Sequence, residues 1–315
     1  MTTTLGQPAP EIDHADAYER VIDNLDANFG AAPTRRAAHA KGVVLTGTFH
    51  ASPEAASVTR APHLNAGRVP VVARFSSFPG GLAHPDAAPE CNPRGLAVQF
   101  RLDDGSTTDL LAHSINGFPG RVVEDFVDFL AAIAPGGAGP EAYLATHPAA
   151  AAFVHAIQTH GVPASFATLS YFPVNAFCFQ AADGTESIGR YIWTPVAGHH
   201  VLEGNEAAVM SDDFLTDELR TRLTRGVISF VLELQVAEPG DVTDDANAQW
   251  PSDRRRVELG TLHLTHLVPD SVYAEQGLFF DPVRLIDGIT LSDDPLLVGR
   301  TRAYPLSLAR RHSGG

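Results

Sequence analysis

Eight stretches of β-rich or alternating sequence, bounded by Gly, Pro and Asp, recur along this 315-residue chain. They run over Gly42 to Phe49, Val69 to Ser76, Gly95 to Arg101, Thr108 to His113, Asn175 to Gln180, Ser187 to Thr194, Ile228 to Ala237 and Val257 to Leu267. Asp103 to Gly105 and Ala182 to Gly184 are placed where tight hairpin turns need a positive φ. The sequence therefore predicts that neighbouring strands are antiparallel.

Helical periodicity appears in segments outside these strands, over Glu11 to Phe29, Glu124 to Ile133, Pro148 to Gln158 and Asp212 to Leu223. In the last of them Ser211 is a capping residue, followed by acidic residues in the first turn. Strands interrupted by helices predict an α+β fold, an eight-stranded antiparallel β-barrel with flanking helices, because closure removes the sheet edges and leaves room for a small ligand. No linker-like stretch divides the chain, which predicts one domain over residues 1–315.

Composition narrows the class of protein. The formal charge of -15, from 37 acidic and 22 basic residues, argues against nucleic acid or an anionic membrane as a partner. Cys91 and Cys178 are too few for a disulfide scaffold or a Cys-based zinc site, and they fit a reducing compartment. Neither a signal peptide nor an apolar run long enough to span a bilayer is visible. We expect a cytoplasmic protein.

Four motifs occur in one order along the chain. They are "RAAHAKG" from Arg36, "VARFSS" from Val72, "NPRGLAVQF" from Asn92 and "GRTRAY" from Gly299. Together they resemble the haem catalase superfamily, in particular its minimal branch of catalase-related peroxidases, and the resemblance runs from about Arg35 to Arg311. It implies the same barrel over about residues 36–267, an N-terminal helix at about 11–29, a C-terminal helix with the haem ligand at about 295–311, and haem b with ferric iron as cofactor.

On the distal side of the haem, the resemblance implies that His39 is the catalytic acid-base group. Cleaving a peroxide O–O bond requires moving a proton between the two oxygens, for which we expect a base with a pKa near 7. Ser76 matches the serine that hydrogen-bonds the other ring nitrogen of this histidine and fixes its tautomer. Phe126 and Phe118 match aromatic positions that line the haem. Taken alone, such residues are more often core or surface side chains.

On the proximal side, the resemblance implies that Tyr304 is the ligand of the haem iron, a role that tyrosine has in catalases. Arg300 lies four residues earlier, so in a helix its guanidinium is one turn away and favours the phenolate form of the tyrosine. Arg36, Arg74 and Arg311 match the arginines that pair with the haem propionates, where a planar, always charged group suits a carboxylate.

One segment, "TDLLAHSINGFP" at residues 108–119, departs from the family pattern. Where typical catalases have an asparagine that orients a second hydrogen peroxide, this chain aligns His113, with Ser114 and Asn116 as alternatives. An imidazole is larger than a carboxamide and can carry a charge near neutral pH. The chain is also short at both ends compared with large catalases, which predicts a less covered haem. Both features favour peroxidase over catalase turnover.

The sequence thus predicts a haem peroxidase that reduces hydrogen peroxide or an organic hydroperoxide with a small organic reductant, by a ping-pong mechanism. A true catalase, a hydroperoxide isomerase like the allene oxide synthases and a non-catalytic haem carrier are the alternatives. A carrier has no use for an acid-base group above the iron, which argues against that alternative. The reductant, the preferred peroxide and the oligomeric state stay open, with a homo-oligomer as one option.

Overall fold

A computed structural model describes residues 14–30, 36–137, 139–269, 271–297, 299–300 and 309. The strands in this part of the chain are β1 (Gly42–Ala51), β2 (Arg68–Ser76), β3 (Gly95–Arg101), β4 (Thr107–His113), β5 (Phe177–Gln180), β6 (Glu186–Pro195), β7 (Ile228–Val236), β8 (Arg256–Leu267) and β9 (Ile289–Leu291). The α-helices with assigned bounds are α1 (His14–Phe29), α2 (Val123–Ile133), α3 (Pro140–Leu144), α4 (Pro148–Thr159), α5 (Phe214–Arg225) and α6 (Ser271–Gln276).

The strands form one antiparallel sheet in the order β4-β3-β2-β1-β8-β7-β6-β5-β9. The sheet is strongly curled and the helices pack around it, which confirms the predicted α+β class and the antiparallel pairing. The eight predicted strands are present, and β9 adds a ninth that the sequence pattern did not indicate. Its three residues are too few to show an alternation.

The curled sheet meets itself just before β5. Phe172 forms an antiparallel bridge to His113 at the end of β4, and Tyr171 forms another to Trp193 in β6. The two bridges join β4 to β6 through the segment that leads into β5. Where β4 and β6 approach each other, these two β-bridges therefore close the predicted barrel.

Strand β2 is covered on both faces. Val71, Ala73 and Phe75 point into the barrel and belong to its main hydrophobic core. Arg74 and Ser76 lie on the opposite face, because side chains alternate along a strand, and both line a cavity outside the barrel. A strand with two buried faces can thus carry the core on one side and functional groups on the other.

Helices α1 and α2 close the far side of this cavity. Their apolar faces pack together, with Leu25 of α1 and Leu130 of α2 in one buried cluster. Two side-chain amides of α1 fix the contact, since Asn24 Nδ2 donates to Val127 O at 3.3 Å and Asn28 Nδ2 donates to Leu130 O at 2.9 Å. The helix begins at His14, and residues 11–13 of its predicted span lie outside the described part.

The predicted C-terminal helix is helical at each described residue between 295 and 311. Tyr304 and Arg311 lie outside the described residues. None of the helices in the described part is both long and apolar enough to cross a bilayer.

Candidate active site

A cavity of about 540 Å³ lies between the outer face of β2 to β4 and the helices that cover it. Most of its lining is aliphatic or aromatic. Five basic side chains also line it, namely Arg36, His39, Arg74, His113 and Arg300. An apolar cavity of this size with a few charged groups is typical of a site for a small molecule or a cofactor.

His39 is held in an unusual backbone conformation. Its φ of 59° lies in the left-handed region, and it is the one non-glycine residue in the described part with a positive φ. Such a conformation costs about 1–2 kcal/mol for a residue with a side chain. Two hydrogen bonds fix the turn, from His39 N to Phe78 O at 2.7 Å and from Ala40 N to Pro79 O at 3.1 Å. The strain is thus offset locally, and the imidazole is held at the cavity wall.

Ser76 lies where a partner of His39 is needed. Its Oγ is 3.0 Å from His39 Nδ1, and its side chain is buried. When Nδ1–H donates to Ser76 Oγ, the Nε2 lone pair is left for accepting a proton. The geometry matches the contact expected from the sequence, and the catalytic role of both residues stays a prediction.

Gly95 makes this contact sterically feasible. It pairs with Ser76 across β2 and β3. A Cβ at position 95 would lie 2.5 Å from Ser76 Oγ and 2.9 Å from His39 Nδ1. Since real Cβ atoms do not approach so closely, only glycine leaves room for the serine and the imidazole together.

The pKa of His39 is lowered to about 3, first by burial and then by the charges of nearby groups such as Arg74 and Arg36. His39 is therefore a neutral imidazole at neutral pH. The expected base with a pKa near 7 is not found in the protein without a cofactor, because the cavity removes the ring from water and surrounds it with cations.

The arginines at the cavity are fixed by different partners. Arg36 Nη2 donates to Leu278 O at 3.0 Å, and its guanidinium lies 5.9 Å from the centre of the Phe280 ring. Arg74 is buried and pairs with the carboxylate of Glu275, with 2.9 Å between Nε and Oε1 and 3.1 Å between Nη2 and Oε2.

Arg300 is anchored through a short polar chain. Its Nη1 donates to Asn175 Oδ1 at 3.1 Å, and Asn175 Nδ2 donates to Asp294 Oδ2 at 2.8 Å. The backbone N–H of Leu296 donates to the other oxygen of Asp294 at 2.9 Å, so this buried carboxylate also caps the start of the last helix. The cation next to the predicted ligand position is therefore fixed in place.

His113 lines the cavity, whereas its two alternatives are used elsewhere. Ser114 Oγ accepts from Arg94 N at 3.0 Å, and Asn116 Nδ2 donates to Gln249 Oε1 at 3.4 Å. Burial, and then the charge of Arg300, lower the pKa of His113 to about 3. The expectation that His113 can carry a charge near neutral pH is thus not met in this structure, since burial favours the neutral ring.

The aromatic side chains predicted for the distal side lie at the cavity. Phe118 and Phe126 both line it, with their ring centres 4.9 Å apart. In the described part, no group of three or more His, Cys, Asp or Glu side chains forms an arrangement that could hold a metal ion. The predicted iron ligand Tyr304 lies outside that part.

Comparisons with known proteins agree with this geometry. A family model described as catalase matches residues 27–314. The chain is 38% identical over 297 residues to a protein named catalase-related peroxidase from Mycolicibacterium paratuberculosis, an overlap that covers 93% of this chain and 94% of that protein. A protein with the same name from Synechococcus elongatus is 32% identical over 303 residues, which cover 94% and 89% of the two chains. The chain belongs to the catalase family.

Larger members of the catalase family match less of their own length. Catalase isozyme 2 of Hordeum vulgare is 28% identical over 296 residues, which cover 85% of this chain and 58% of that protein. In length, this chain therefore resembles the two catalase-related peroxidases more than the plant catalase. This agrees with the branch that the motifs indicated.

Sequence reasoning missed several residues of this catalase-family site. Asn175 had been placed at the start of a strand, and Glu275 had no assigned role. Asp294 had a recognisable signal, because an aspartate directly before Pro295 is typical of a helix start. The other two contact their arginines only through the tertiary fold, so no local pattern marks them.

We expect Gly95→Ala to disturb the pair of His39 and Ser76. The added methyl group overlaps both side chains, and overpacking of this kind costs about 1–3 kcal/mol. Thermal unfolding should shift to lower temperature, and the NMR signals of the His39 ring should move. Gly226→Ala is the matched control, since a Cβ there meets no atom within 4 Å. An unchanged His39 spectrum in Gly95→Ala would contradict the steric account.

Proposed function

We propose that this member of the catalase family is a haem b peroxidase, which reduces hydrogen peroxide or an organic hydroperoxide with a small organic reductant. The observation that carries the proposal is the pair of His39 and Ser76, held at the wall of an apolar cavity that three arginines also line. The names of the two relatives and the family match support it. A non-catalytic carrier would not need a strained histidine at this place.

The residues present fit a haem. The cavity supplies apolar walls for a porphyrin, and Phe126 is one of the side chains that would pack on it. Arg36 and Arg74 would hold its propionates from the described part of the chain, and Arg311 would do so from outside it. Tyr304 would be the iron ligand, with Arg300 favouring its anionic form. Bound ferric haem would supply the metal centre that receives the peroxide and the two electrons that reduce it.

The protein's own contribution to peroxide cleavage is to move a proton. His39 would take the proton from the peroxide oxygen nearer the haem and deliver it to the departing oxygen. Ser76 would keep the Nε2 lone pair free for this transfer by accepting a hydrogen bond from Nδ1–H. Burial of the ring keeps it neutral before the peroxide binds.

Tyr304→Phe should abolish or greatly weaken haem retention, because a phenyl ring offers the iron no donor atom. The measurement is an absorption titration of the apoprotein with haem, followed by gel filtration of the complex. Normal haem retention by Tyr304→Phe, with an unchanged spectrum, would show that the assignment of the ligand is wrong.

His39→Ala should keep the haem and slow the reaction with peroxide about a hundredfold or more, which is the usual scale for a positioned acid-base group. In the wild type, acidification from about pH 8 to about pH 5 should not reduce this rate, since protonation of His39 begins only near its pKa of about 3. Stopped-flow absorption measures both effects.

The exposed histidine variant His266→Ala is the control for His39→Ala and should react like the wild type. If His39→Ala reacted with peroxide as fast as this control, the proposed role of His39 would be refuted.

Peroxidase turnover should exceed catalase turnover, and His113→Asn should raise the release of oxygen from hydrogen peroxide. The reason is that His113 occupies the position where a carboxamide orients the second peroxide in typical catalases. Oxygen release is measured with an electrode beside the oxidation of a phenolic dye. Rapid oxygen release by the wild type, not raised in His113→Asn, would favour a true catalase instead.

A further inference from the structure

The buried ion pair of Arg74 with Glu275 has a consequence for any ligand of the cavity. Arg74 lines the cavity, but Glu275 is not part of the lining and approaches the guanidinium from α6. Both side chains are largely removed from water, at 3% and 9% side-chain exposure. The positive charge at this wall is therefore already compensated by the protein itself.

Both N–H groups of Nη2 of Arg74 are already in use. Nε lies beside Oε1 of Glu275, and Nη2 donates both to Oε2 of Glu275 and to Ala40 O, each at 3.1 Å. Nη1 makes no hydrogen bond to any atom that the structure describes, and Nε faces Oε1 of Glu275 without forming one. A guanidinium binds a carboxylate best through two neighbouring N–H groups. Each such pair in a guanidinium includes an N–H of Nη2, and both of these are engaged in Arg74, so no free pair is left.

The fold makes room for this arrangement. A Cβ at Gly42 would lie 2.6 Å from Cζ of Arg74 and equally close to its Nη2. The glycine, the carbonyl of Ala40 and the carboxylate of Glu275 thus fix the position of the guanidinium.

We propose that Glu275 is a built-in competitor for Arg74, which stabilises the protein without its cofactor and weakens the hold of Arg74 on a carboxylate of the cofactor. This inference rests on the proposed function, since it takes the carboxylates to be those of haem. Two carboxylates at one guanidinium repel each other, and each reduces the charge that the other sees. Glu275 therefore lowers the affinity for the cofactor and raises the stability of the protein without it.

Glu275→Gln tests the proposal through two quantities that should change in opposite directions. The empty variant should unfold at lower temperature than the wild type, because a buried guanidinium loses its counter-charge. Haem should bind the variant more tightly, by about tenfold or more, because Arg74 could then make a charged hydrogen bond to a propionate without a competing carboxylate. Both are measured on the full-length apoprotein, by thermal unfolding and by absorption titration with haem.

Haem dimethyl ester is the probe that isolates the carboxylates. It has the same ring and iron but no negative charge at the propionates, so Glu275→Gln should leave its affinity unchanged. A fall in the affinity for haem and for the ester alike would overturn the proposal and show that Glu275 only maintains the fold. A fall in the affinity for haem alone would also overturn the proposal. It would show that Glu275 positions Arg74 for binding.

Two further variants keep the test decisive. Glu238→Gln removes a carboxylate from another arginine, Arg254, whose pair with Glu238 is 3.2 Å long, and should leave both affinities unchanged. Glu275→Asp keeps the charge and should retain the wild-type preference between haem and its ester, even if Glu275→Gln does not fold. A loss of that preference in Glu275→Asp would count against the proposal.

The proposed function and this inference fail in different ways. If wild-type apoprotein bound neither haem nor its ester, the haem assignment would be wrong and the inference would fall with it. If the wild type bound haem but Glu275→Gln bound it with the same affinity, only the role of Glu275 would be overturned.

Discussion

Positive charge buried beside an apolar cavity is the constraint on which the site depends. A guanidinium removed from water costs several kcal/mol unless it is paired, so its partners have to be held as firmly as the arginine itself. Glu275 compensates Arg74, and Asn175 with Asp294 anchors Arg300. After burial, the charges of these arginines also contribute to the lowered pKa of His39. One arrangement of cations thus gives the cavity a basic wall and adds to the effect of burial, which keeps the histidine neutral.

The curled sheet is what makes this arrangement precise. Residues two apart on β2 share its outer face, so Arg74 and Ser76 reach the cavity while Phe75 between them packs in the barrel. The neighbouring strand then supplies Gly95 opposite Ser76, where a side chain would displace the imidazole. Groups on paired strands have little freedom to move, and the proposed proton transfer needs positions fixed to within about half an ångström.

Local patterns in the sequence were enough for eight of the nine strands in the described part and for the class of fold, because alternation and helix starts depend on neighbours along the chain. The partners of the arginines depend on tertiary contacts. Glu275 is 201 residues from Arg74, and Asn175 is 125 residues from Arg300. The protonation of the histidines was mispredicted for the same reason, since a pKa is set by the surroundings of the ring and not by its sequence position.

The neutral state of His113 changes the physical basis of its expected effect. A charge on the ring no longer contributes to the expected effect on a second peroxide. The size of the imidazole and its hydrogen-bonding pattern remain as the two causes. His113 Nδ1 accepts from Ile115 N at 3.4 Å, which places the proton of the neutral ring on Nε2. The side chain then offers one donor and no further acceptor, whereas a carboxamide offers both. Hydrogen peroxide donates and accepts, so a carboxamide can fix it at two points and this imidazole at only one. Because burial lowers the pKa of His113 to about 3, this hydrogen-bonding pattern should persist across the neutral range.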